Sequence, residues 1–224
     1  FDLPSLSDQK ALAAALRACD QAIAGLQRVP TGSLRMALLS HEFNDPAESW
    51  KAATLGDLAD FHNGYPFKPS ELGDEGQPVV RIKQLLDPFA VPDYSSVQVS
   101  ERHHINNGDL VMSWSGTLAV RIWQRGPALL NQHLFRVVET EGISRAWLAL
   151  ALELAIRELN QLTHGSTMKH ITKTDLLRHA ILVPTPSEQD RIVGRLEEVR
   201  RSTDLLEAQL ADLLVMRKAL LIES

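Results

Sequence analysis

The chain has 224 residues, 44% of them hydrophobic and 23% charged, with one cysteine and a formal net charge of −5. This ordinary globular composition excludes collagen-like, mucin-like and wholly disordered chains, a disulfide framework and a cysteine-rich zinc module. The acidic balance excludes nucleic-acid binding by bulk charge, so such a function requires a local patch.

In chain order, Ser7 is read as the N-cap of a first helix. Along it Leu12, Leu16, Cys19, Ile23 and Leu26 keep a heptad register. Cys19 on that seam is read as a small buried hydrophobe. Pro30 and Gly32 predict a break before a second short helix through Leu39. From Trp50 to about Val183 the chain changes to short apolar runs punctuated by Gly, Pro and Asn. Strands are predicted at 79–83, 110–115, 118–123, 134–138 and 180–183, with turns at Asn107-Gly108-Asp109 and Gly126-Pro127. His103-His104 is read as a surface turn rather than a metal site. Ser144 caps a helix over 145–162 that is apolar nearly all round and so buried, and Gly165 stops it. Thr172-x-x-Asp175 predicts the start of another short helix. Ser187 is read as the cap of the last helix, in which Ile192, Leu196, Val199, Thr203, Leu206, Leu210, Leu213, Arg217 and Leu220 recur at four-three spacing.

The two ends repeat each other: Leu3-Pro4-Ser5-Leu6-Ser7-Asp8-Gln9 matches Val183-Pro184-Thr185-Pro186-Ser187-Glu188-Gln189. A repeat at both ends of a non-repeating middle predicts two helices that pair antiparallel and bracket a globular unit. The expected organisation is a helical region over 1–45, a globular domain over 46–184 and a long helix over 185–224. The expected fold class is mixed α/β, with a largely antiparallel or mixed sheet and long coiled-coil-forming helices at both ends.

Catalytic signatures are missing. The chain has no Gly-rich phosphate loop, no Gly-x-Ser-x-Gly elbow and no metal-ligand spacing. What stands out is donor-rich material: Arg81 and Lys83, read on a strand face; Ser113, Ser115 and Thr117; Asn131, Gln132 and His133; Ser166, Thr167, Lys169 and His170; and Lys173. Asn and Gln can pair with adenine, and Arg or Lys with guanine, while Lys, Ser and Thr suit phosphates. No apolar run reaches the ~18 residues of a membrane span. Phe1-Asp2-Leu3-Pro4 carries no export signal, so the cytoplasm is the expected compartment.

Several stretches together resemble a known family. They are Trp50 with Leu55-Gly56-Asp57-Leu58, Gly64, Val80-Arg81-Ile82-Lys83, Gly108-Asp109-Leu110-Val111-Met112-Ser113, Ser115-Gly116-Thr117, Leu130-Asn131-Gln132-His133, Gly165-Ser166-Thr167, and Pro184-x-Pro186-x-Glu188-Gln189. In that order the chain resembles one target recognition domain, with flanking helices, of a type I restriction-modification specificity subunit. The resemblance implies a non-catalytic module that reads one half of a bipartite site in double-stranded DNA. It implies docking to a modification methyltransferase subunit, which carries the S-adenosylmethionine, and assembly with a restriction and translocase subunit. Family members carry two recognition domains, so a single one implies a fragment or a half-subunit that forms a homodimer. The alternative is a coiled-coil adaptor whose globular domain binds protein.

Overall fold

The computed structural model describes residues 5–28, 31–163 and 172–222. Their elements are α1 (Leu6–Gln27), α2 (Thr31–Asn44), β1 (Lys51–Thr54), α3 (Leu55–Leu58), β2 (Ala59–Asn63), β3 (Gln77–Val80), α4 (Ile82–Leu86), β4 (Asp93–Ser95), β5 (His104–Ile105), β6 (Leu110–Ser113), β7 (Val120–Ile122), β8 (Ala128–Leu130), β9 (Leu134–Glu139), α5 (Arg145–Thr163), α6 (Lys173–Arg178), β10 (Ala180–Val183) and α7 (Pro186–Ile222). The fold is the mixed α/β class expected. No described helix is long and apolar enough to cross a membrane.

Helix starts follow local hydrogen-bond chemistry, with two corrections. At α6, Thr172 and Asp175 satisfy each other's backbone N–H groups reciprocally, as their spacing predicts. At α5, Ser144 sits in the cap position, its carbonyl accepting from Leu148 N–H at 2.8 Å. Ser187, however, lies inside α7. The cap is Thr185, whose backbone N–H (3.0 Å) and hydroxyl (2.7 Å) both donate to the Glu188 carboxylate. Pro186 then takes the first helical position, where a missing N–H costs nothing. Ser7 is likewise internal, because the first bond of α1 is accepted by the Ser5 carbonyl. The expected separation of two helices holds, α1 ending at Gln27 and α2 opening at Thr31, but Gly32 itself lies in α2, which runs on past Leu39 to Asn44.

Two compact units divide the chain, Phe1–His41 with Gly194–Ser224, and Glu42–Val193. In the first, Cys19 and Ile23 of α1 are buried, and Leu12, Leu16 and Leu26 are partly buried. On α7, Leu196 and Thr203 are buried and Val199, Leu206, Leu210 and Leu213 are partly so. Arg217 Nε reaches Asp20 Oδ1 at 2.6 Å, which joins α7 to α1. Leu205, Leu214, Val215, Met216 and Leu221 of α7 are exposed. Ile192, on the part of α7 that belongs to the second unit, is fully buried.

In the second unit the strands form three sheets. β1 pairs antiparallel with β10, and β2-β9-β6-β7 is antiparallel throughout. The third, β4-β3-β8-β5, is mixed, because β3 and β8 run parallel with Val79 opposite Leu129. Both four-stranded sheets feed one apolar cluster, which includes Val80, Ile105, Val111, Leu130 and Leu134. Trp147 of α5 is fully buried and stacks on Phe43 at 5.9 Å. The strand expected over 79–83 stops at Val80. Ile82 and Lys83 open α4 instead, where the Gln84 side chain accepts from Arg81 N–H at 3.1 Å. The strand expected over 118–123 is shorter, Val120–Ile122.

Candidate functional site

A cleft of about 270 Å³ opens where the end of β3 meets the turn between β8 and β9. Its floor is backbone. Asn131 N–H donates to Val80 O at 3.0 Å, Tyr65 N–H to Leu130 O at 2.7 Å, and Gln132 N–H to Tyr65 O at 3.0 Å. Gly64 allows this approach, since a Cβ there would lie 2.2 Å from Asn131 O. The walls are Phe67, Arg81, Ile82, Lys83, Asn131, Gln132 and His133. Five of the donor residues singled out in sequence, from two stretches some fifty residues apart, thus share one concavity.

Arg81 is aimed by Asp93 of β4, 3.4 Å from its guanidinium. Its Nε is buried without a hydrogen-bond partner, while the side chain as a whole is half-exposed. Lys83, Gln132 and His133 are exposed. The loop after β6 is tied to the same turn. Trp114 Nε1 donates to Gln132 O at 3.0 Å, and Ser115 Oγ lies 2.9 Å from His133 Nδ1. The Trp114 ring stacks on Phe135 at 5.8 Å. The partly exposed Ser115 and the exposed Thr117 therefore extend the cleft's polar rim. The rim is rich in hydrogen-bond donors, and no group of three His, Cys, Asp or Glu among the described residues could hold a metal. Such a surface can donate hydrogen bonds to an acceptor-rich partner.

Two of the predicted contact residues, Ser113 and Asn131, have internal work instead. Ser113 is fully buried; its hydroxyl donates to Thr117 O and accepts from Ala119 N–H, each at 2.7 Å. It shapes the loop and offers nothing to a ligand. Asn131 is buried at 6% exposure, and its side-chain oxygen accepts from His133 N–H at 3.3 Å. Lys173 Nζ donates to Phe61 O at 3.1 Å and lies 5.1 Å from the centre of the Phe135 ring. Arg81 and Lys83 stand at a strand-to-helix junction rather than on a strand face. Ser166, Thr167, Lys169 and His170 lie outside the described residues.

Sequence reasoning missed Trp114, Phe67 and Asp93. Trp114 carried a local signal, an aromatic ring between small polar residues. Asp93 carried none, because its pairing with Arg81 depends on β3 and β4 meeting. His103 was placed on a surface turn but is buried at 7% exposure. Its Nδ1 lies 2.9 Å from Asn63 O, and its Nε2 accepts from Arg102 Nε at 3.2 Å. That arrangement calls for a neutral ring with the proton on Nδ1. Burial pushes its pKa below the ordinary histidine value.

A family model described as "Type I restriction modification DNA specificity domain" matches residues 47–214. The specificity subunit of the Type I restriction enzyme EcoBI, from Escherichia coli, is 28% identical over 166 residues, covering 73% of this chain and 35% of that protein. The crystal structure of the HsdS subunit from Thermoanaerobacter tengcongensis superposes with a TM-score of 0.70 at 21% identity, over 99% of this chain and 59% of that one. A type I restriction-modification S subunit from M. genitalium gives 0.59 at 16% identity, over 97% and 60%. The chain thus spans about a third of the curated relative and three fifths of the structural ones.

Proposed function

The chain belongs to the type I restriction-modification DNA specificity domain family, and from that membership we propose that its central domain, residues 46–184, reads one half of a bipartite site in double-stranded DNA. The observation that carries this reading is the convergence of Arg81, Lys83, Gln132 and His133 on one cleft. An arginine fork pre-aimed by Asp93 matches the O6 and N7 acceptors of guanine, and the Gln132 amide matches the N6 and N7 edge of adenine. Lys83, a flexible point charge, suits a phosphate. Local cations on the rim make binding possible despite the chain's net negative charge.

In this reading the chain performs no chemistry and needs no cofactor. Methyl transfer belongs to a modification methyltransferase subunit that carries S-adenosylmethionine and docks on the helices of 1–45 and 185–224. The exposed apolar residues of α7 support that docking. A restriction and translocase subunit, and a second recognition domain supplied by a longer chain or a second copy, complete the cytoplasmic assembly.

Selection of bound duplexes from a random pool, with the methyltransferase present, tests the proposal. Enrichment of one short motif is expected. Equal retention of all duplexes, or of none, overturns it in favour of a protein-binding adaptor.

A further inference from the structure

The loop between α4 and β4 takes no part in the cleft, yet it is firmly held. Arg125 spans it, one guanidinium nitrogen donating to Pro88 O at 3.0 Å and another to Gln84 O, while its guanidinium lies 4.3 Å from the centre of the Trp123 ring. Gln84 Nε2 donates to Val91 O at 2.8 Å, and Asp87 N–H donates to Lys83 O at 2.9 Å. Leu85 and Ala90 turn into the protein at 5% and 7% exposure. Phe89 and Val91 turn outward, at 90% and 77%. Among the described residues Phe89 is the sole exposed phenylalanine.

We infer that Phe89 is a wedge that enters the DNA duplex between adjacent base pairs, close to the bases read in the cleft. This rests on the DNA-reading function proposed above. Apolar side chains inserted at a base step unstack it and bend the duplex, and a ring carried on a loop already ordered before binding avoids the entropic cost of ordering that loop. The geometry supplies such a pre-ordered loop. α4 has five residues at ~1.5 Å rise each, so the loop stands ~8 Å from the cleft, two to three base steps of ~3.4 Å. Lys83 on α4, and Arg125 reaching the loop from between β7 and β8, put cations beside it, where phosphates of an opened step would pass. The Asp87 carboxylate is turned back on the loop, accepting from Phe89 N–H at 2.9 Å. A protein partner would need ~800 Å² of its own surface covered, far more than one ring and its neighbours present.

The test places 2-aminopurine at each position in and beside the selected motif, with the full chain and its methyltransferase. Beside the base that the methyltransferase itself extrudes, one further position brightens with the parent protein. Phe89→Ala returns that signal to the free-duplex level and weakens binding about tenfold, the size of one base–aromatic contact, while Phe89→Trp restores both. Because Phe89 is almost fully exposed, an unchanged melting curve is expected for both variants. If no further position brightens and Phe89→Ala binds like the parent, the wedge is overturned while motif selection still supports DNA reading. If Phe89→Ala loses methyltransferase capture but leaves the DNA signal intact, the loop is a protein contact and the inference is wrong. If the parent selects no motif at all, both the function and the wedge fall.

Discussion

The indole N–H of Trp114 donates to the backbone carbonyl of Gln132 at 3.0 Å. This bond joins the loop after β6 to the turn before β9, so it sets Ser115 and Thr117 against Gln132 and His133. Trp114→Phe keeps the stack on Phe135 but deletes the donor. The expected stability loss is about 1 kcal/mol, with poorer discrimination between the selected motif and its single-base variants. Melting curves and competition binding check both; undiminished discrimination shows that the loop spacing is set elsewhere.

Gln132 and Lys83 should fail differently. Gln132→Ala narrows the gap between the motif and one single-base variant by ~1–3 kcal/mol. Lys83→Ala weakens all duplexes alike and lowers the salt slope by about one. Titrations across a salt series separate the two. A base-specific loss in the lysine variant contradicts its assignment to a phosphate.

Ser113 is a framework residue. Ser113→Ala leaves the buried Ala119 N–H without its 2.7 Å acceptor, a loss of ~1–3 kcal/mol. Base preference of the folded protein stays unchanged. A variant of parental stability with altered preference would reverse this assignment.

His103 makes stability fall on acidification. Burial lowers its pKa most; the bond to Asn63 O opposes this, and the charges of Arg102 and His104 add to the lowering. Above the ordinary histidine pKa of about 6.5 the ring is neutral in both folded and unfolded chains and contributes no pH dependence. As pH falls through that value the unfolded chain takes up the proton first, so stability declines until the folded pKa is passed. Denaturant midpoints on either side of that pH should show a smaller decline in His103→Gln than in the parent. Equal declines remove His103 as the cause.

The cap of α7 gives a sharp comparison. Thr185→Ala removes the hydroxyl bonded to Glu188 and costs about 1 kcal/mol. Ser187→Ala, one turn position further in, changes little. Midpoints that shift for Ser187 and not Thr185 would place the cap where sequence reasoning first put it.

The site was partly legible. Asn131-Gln132-His133 and Arg81 with Lys83 were each visible as donor-rich stretches, and the structure brings them to one cleft. What sequence reading could not separate was reader from framework. Gln132 is exposed while the adjacent Asn131 is buried, and Ser115 faces outward while Ser113 is locked inside. Neighbouring residues of similar chemistry take opposite roles because the chain leaves the sheets between them: Ser113 ends β6 and Asn131 bridges to Tyr65, while Ser115 and Gln132 lie in the bend and turn beyond, and only the packed sheets decide which positions are covered.

By itself the sequence determined whatever depends on residues within one turn or a few positions: the Thr172–Asp175 cap, the Ser144 start of α5, the turn at Gly108 with φ +90°, and the apolar character of α5. These signals are local because backbone N–H groups and dihedral angles are satisfied by near neighbours. Tertiary structure alone decided the parallel pairing of β3 with β8, the end of β3 at Val80, the burial of His103 and the aim of Arg81 by Asp93. Each depends on groups far apart in the chain meeting in space, and burial is a property of what covers a residue rather than of the residue itself.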